Sequence, residues 1–71
     1  MRVKIQLETV TDIANFVLIA SDVKSDVLLK NESGLCVDGK SFLGVAHASE
    51  FETLWCECDE DIYSKISKWV K

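Results

Sequence analysis

The hydrophobic period of this chain changes once, near its start, and that change constrains the fold more than anything else in the sequence. Val3, Ile5 and Leu7 alternate with Lys4 and Gln6, the period of two that marks a half-buried strand. Ile13, Phe16, Val17 and Ala20 then recur at i, i+3, i+4 and i+7, one face of a helix, and Ile19 and Val23 widen it. Between the two patterns stands Thr9, with Asp12 three residues on. That spacing predicts a capping box, in which the Thr9 hydroxyl accepts the Asp12 backbone N–H and the Asp12 carboxylate reaches back. Ala14 and Leu18 fall on the opposite side of the same helix, so part of its outer surface is apolar.

The same reading carries on along the chain. Ser25-Asp26 ends the helical pattern, and Val27 and Leu29 alternate with Leu28 and Lys30 as a second strand. Asn31-Glu32-Ser33-Gly34 is a turn in which Gly34 takes positive φ, and Leu35-Cys36-Val37 is a short third strand. Ser41 is a natural N-cap for a short helix through Phe42, Leu43, Val45 and Ala46, ending near Ala48. Phe51 to Cys58 reads as a fourth strand, with Leu54, Cys56 and Cys58 on one face and Thr53, Trp55 and Glu57 on the other. Asp59 is the expected cap of a last helix buried through Ile62, Ile66, Trp69 and Val70. The order is β-α-β-β-α-β-α. Its economical packing is a two-layer α+β domain, one antiparallel sheet with the helices gathered on one face.

Bulk properties narrow the function classes. Seventy-one residues make a single domain, 1–71, and a chain this short buries only about 60% of its unfolded surface. The formal net charge of -4 argues against nucleic acid and anionic membranes as partners, since both are polyanions. The expectation is no apolar signal segment and no membrane insertion. Three cysteines among strand-forming residues read as reduced thiols of a cytoplasmic protein.

The element order, the run from Ala20-Ser21-Asp22 through Ser25-Asp26-Val27, and above all Lys40-Ser41-Phe42-Leu43-Gly44-Val45 resemble the HPr family, the bacterial phosphocarriers of the sugar phosphotransferase system. The family's second-helix signature is Lys-Ser-Ile-Met-Gly-Val, and the resemblance covers nearly the whole chain. It implies an HPr-like open-faced sandwich with strand order 1-4-2-3. The family's first-helix motif, Gly-Ile-His-Ala-Arg-Pro-Ala, is missing. Counted back from Ala20-Ser21 without gaps, Thr9 stands at the position of the phosphoryl-accepting histidine, Thr11 at that of the arginine and Asp12 at that of the proline.

This loss has a physical meaning. A phosphoryl group at a helix start leans on unpaired N–H groups and on about half a positive charge. Here Asp12 and Glu8 place carboxylates there, and a threonine hydroxyl is a far weaker acceptor than an imidazole. The chain is therefore expected to be no enzyme and to need no cofactor. It reads as a non-catalytic regulatory or interaction module; the alternative is a phosphocarrier with an atypical acceptor. By resemblance its partners are other proteins, phosphotransferase-system components or a transcription regulator. The resemblance also makes Ser41 the candidate for regulatory phosphorylation, and Phe42 and Leu43, with Leu18, Ala14 and Ala46, the candidates for a docking patch.

Other residues carry weaker signals. His47 is the single histidine, with no partner at acid–base spacing. Cys56 and Cys58, with Cys36 and His47, do not have the spacing of a zinc site, and small buried side chains are the favoured reading. Trp55 is expected either exposed on an open sheet face or buried under a neighbour. The order β-α-β-β-α-β is shared with RNA-recognition domains, which stack bases on aromatics of their first and third strands. Neither Val3–Leu7 nor Leu35–Val37 holds an aromatic residue.

Overall fold

The computed structural model describes all of residues 1–71. Strand β1 (Arg2–Ile5) leads to helix α1 (Val10–Ser21), strands β2 (Val27–Lys30) and β3 (Cys36–Asp38), helix α2 (Phe42–Ala48), strand β4 (Leu54–Cys58) and the short helix α3 (Tyr63–Ile66), followed by a 3-10 turn at Ser67–Trp69. The strands form one antiparallel sheet in the order β1-β4-β2-β3. The fold is α+β, with the strand order that the resemblance implies.

Register explains the two layers. Val3 pairs with Cys56 and Ile5 with Leu54, while Leu29 pairs with Cys56 and Val27 with Cys58. Successive side chains on a strand point to opposite faces, so these residues share the face that the helices cover. Ile5, Val27, Leu29, Leu54, Cys56 and Cys58 are buried there. Helix α1 adds Ile13, Phe16 and Ala20, α2 adds Val45 and Ala48, and the C-terminal segment adds Ile62, Ile66 and Trp69. Phe16 has no exposed surface and meets Trp69 edge-on, with ring centroids 6.0 Å apart. Burying a side chain of this kind contributes roughly 1.5–3 kcal/mol.

The open face pairs Arg2 with Glu57 and sets Trp55 between Lys4 and Lys30. Glu57 accepts from Arg2 Nε and from Lys30 Nζ, each at 3.0 Å, which ties three strands together. Two turns fix the β2–β3–α2 path. Gly34 has φ +86°, the left-handed region that glycine enters without cost. Gly39 donates its N–H to the Val27 carbonyl at 2.7 Å, and a Cβ there would lie 2.8 Å from that oxygen.

Several boundaries differ from the sequence reading. Strand β4 begins at Leu54 rather than Phe51, and β3 runs Cys36–Asp38 rather than Leu35–Val37. The last helix begins at Tyr63, and Asp59 does not cap it. Its preceding residue Ile62 makes no side-chain cap, and Asp61 Oδ1 accepts the Tyr63 N–H at 3.1 Å instead. Of the expected stripe, Ile62 and Ile66 lie in or beside a single helical turn and Trp69 in the 3-10 turn. Val70 has left the helix and bridges to Ile5, while Lys71 N–H donates to the Lys4 carbonyl. A backbone pairing along the edge of β1 has won over continued helix.

Candidate functional site

The start of α1 is capped by its own side chains. Thr9 holds an extended backbone, φ -125° and ψ 162°, and Thr9 Oγ1 accepts the Asp12 N–H at 3.0 Å. Asp12 Oδ2 accepts the N–H of Glu8 at 3.1 Å and of Thr9 at 3.3 Å. One carboxylate and one hydroxyl thus occupy three amide donors at and before the end of the helix where an anion would seat. The Glu8 N–H, the Trp69 indole N–H and the Thr9 groups hold the Asp12 carboxyl below its ordinary value of 3.8. The carboxylate is therefore a resident anion at neutral pH. Thr9 and Thr11 are exposed and carry no histidine, lysine or arginine partner.

Ser41 caps α2 as its position suggests: its Oγ accepts the Gly44 N–H at 3.2 Å. The neighbouring Lys40 does not lie over it. Lys40 Nζ donates instead to the Val23 carbonyl at the end of α1, at 2.7 Å, and so joins the two helices.

Helices α1 and α2 pack against one another, and both present apolar side chains outward. Leu43 is 81% exposed, Leu18 69% and Phe42 45%. Phe42 is thus not a core residue, despite its place in an apolar run. Ala14 and Ala46 are half-buried beside them. Val10, 72% exposed, belongs to the same outer side of α1 and was missed by the sequence reading. The helical phase that sends Ala14 and Leu18 outward sends Val10 with them, so the signal was present.

The remaining candidates sort themselves by contact. Trp55 is half-buried, covered by the Arg2 guanidinium 4.2 Å from its ring centroid. His47 is exposed and sits edge-on to Phe51 at 5.5 Å. All three cysteines are free; Cys56 and Cys58 are buried, whereas Cys36 is exposed on β3. Burial pushes the Cys56 thiol up to about 12. No three His, Cys, Asp or Glu side chains come together as a metal set. A cleft of about 510 Å³ opens between the end of β1 and the α2–β4 connection, lined by Lys4, Leu7, Glu8, Phe51, Glu52 and Lys71. None of Thr9, Ser41, Leu18 or Leu43 borders it. No helix is long and apolar enough to cross a membrane.

Comparison with protein-family models, with curated proteins and with solved structures finds no match for this chain.

Proposed function

We propose that this chain is an HPr-like, non-catalytic module related to the bacterial phosphoenolpyruvate-dependent sugar phosphotransferase system, which docks other proteins through α1 and α2 and relays no phosphate. One observation carries the proposal. Three amides around the start of α1, those of Glu8, Thr9 and Asp12, are already engaged by Asp12 Oδ2 and Thr9 Oγ1, which sets a carboxylate beside the remaining two, those of Val10 and Thr11. A phosphoryl group there would have to displace a carboxylate that is negatively charged at neutral pH. It would also need an activated nucleophile, which a capping threonine is not. The docking half of the proposal rests on Leu18, Phe42 and Leu43, large apolar side chains left in water on two adjacent helices. Ser41 is the modification candidate of this reading.

Incubation with a bacterial Enzyme I and phosphoenolpyruvate, and separately with an HPr kinase and ATP, tests it by intact mass. The expected outcome with Enzyme I is an unchanged mass. Gain of one phosphoryl group at Thr9 would instead establish the alternative, a carrier with an atypical acceptor. Gain at Ser41 with the kinase, abolished in Ser41→Ala, would make the docking face a regulated one.

A further inference from the structure

The cleft of about 510 Å³ lies where β1 and β4 part. Antiparallel strands bond directly at alternate residue pairs. Along β1 and β4 these pairs begin at Met1 and Cys58, whose N–H donates to the Met1 carbonyl at 3.0 Å, and by the same alternation include Ile5 with Leu54. The register continued by two residues would bring Leu7 to Glu52. Instead the chain leaves for α1 on one side and arrives from α2 on the other, and the backbone N–H and C=O groups of Leu7 and Glu52 bond to no other residue.

Both signs of charge border this cleft, at different places along it. Lys71 donates its backbone N–H to the Lys4 carbonyl at 2.9 Å, so the two lysines stand side by side at one end. Glu8 is four residues beyond Lys4, at most about 14 Å along an extended chain. Glu52 stands on the facing wall, in the α2–β4 connection. All four residues line the cleft and are exposed. Neither lysine is ion-paired to either glutamate; the ion pairs of this chain are Arg2 with Glu57 and Lys30 with Glu57. The half-buried Phe51 adds an apolar wall.

We propose that this cleft binds a short extended peptide with free ends, its carboxylate at Lys4 and Lys71, its ammonium at Glu8 and Glu52, and its middle amides bonded to the free backbone groups of Leu7 and Glu52. Main-chain bonding of this kind is how a sheet takes in an added strand, with the side chains of the ligand read by the walls. An extended tripeptide spans about 10 Å, which the lysine and glutamate side chains extend to the separation of the two charged ends. A single amino acid carries its two charges too close together to meet both ends, and an inorganic anion meets only the lysines. The site is separate from the α1/α2 docking surface and stands or falls without it.

The test uses the intact chain, labelled with nitrogen-15, and four probes: alanyl-leucyl-alanine with free ends, its N-acetylated form, its C-amidated form, and free leucine. The expected result is a set of saturable amide shifts over residues 6–8 and 51–54 with the free-ended tripeptide, and binding at least about tenfold weaker for each of the other three. Lys4→Gln and Glu52→Gln, both at exposed positions, separate the two ends. Lys4→Gln should shrink the penalty of the C-terminal amide and leave that of the acetyl group, and Glu52→Gln the reverse. A merely structural role of either residue would not shift the two penalties in opposite ways. Capped and free tripeptides binding alike would overturn the proposal, as would leucine binding as well as the tripeptide, or the absence of any saturable shift in these two segments.

Discussion

Thr9 and Asp12 bond reciprocally: the hydroxyl of the first accepts the amide of the second at 3.0 Å, and the carboxylate of the second accepts the amide of the first at 3.3 Å. The exchange makes one unit of two side chains and sets a carboxylate at the helix end that a phosphate would need. Thr9→Ala is expected to lower stability by about 1 kcal/mol, and the melting temperature by about 4–8 °C for a domain of this size. Asp12→Ala should also destabilise, and the double variant should lose less than the two single losses together, because each removes the same box. Urea unfolding midpoints of the four proteins check this.

Three carboxylates have pKa values lowered by their partners. The Glu8 N–H leads for Asp12, the Lys30 ammonium for Glu57 and the Ser25 N–H for Glu60. A lowered folded pKa means that the unfolded chain takes up the proton first as pH falls. Their contribution to stability is therefore complete above the ordinary values of 3.8 and 4.5, and is lost as pH falls through and below them. Denaturant midpoints should be flat from neutral pH down to about pH 5 and fall below that. Replacing all three by their amides should flatten the acid limb.

The thiols should divide by exposure. Cys36 lies on the surface of β3, while Cys56 and Cys58 are buried, Cys56 with its thiol pushed up to about 12. A thiol reagent at pH 8 should titrate Cys36 promptly in the folded protein and the other two only on unfolding. Prompt reaction of all three thiols would show that β4 does not sit against the helices as described.

Packing makes opposite demands at two small distances. Gly39→Ala would put a methyl group 2.8 Å from both the Val27 carbonyl oxygen and its Cγ1, so the β3–α2 turn must shift. We expect a loss of about 1–3 kcal/mol, as for overpacked sites. Leu43→Ser, at a side chain mostly in water, should change stability by no more than about 0.5 kcal/mol. Parallel thermal melts separate the two.

Local rules reached most of this fold. The Thr9 capping box, the Ser41 N-cap, the positive-φ glycine and the inward faces of α1 and β4 all follow from spacings of a few residues, whereas the Asp59 cap did not form. The C-terminal segment was not legible in the same way. Ile62, Ile66, Trp69 and Val70 have helical spacing, but the competing partner, the free edge of β1, is more than sixty residues away in sequence. The Arg2 guanidinium over Trp55 and the Ser25 contacts of Glu60 are equally non-local. The candidate face was half legible. Periodicity sent Leu18 and Ala14 outward, while the exposure of Phe42 depends on how α2 sits on α1, which no single-helix pattern contains.

Phosphate binding at the start of α1 is the most direct test of whether the Asp12 carboxylate keeps an anion from this helix terminus. Titration of the nitrogen-15-labelled chain with inorganic phosphate, at constant ionic strength, reads the amides of Glu8 to Ile13 one by one. A terminus held by the Asp12 carboxylate predicts no saturable shift at these positions. A saturable shift centred on Thr9 and Asp12 would mean that the amides are free to hold a phosphoryl group, and the docking-only account would be wrong.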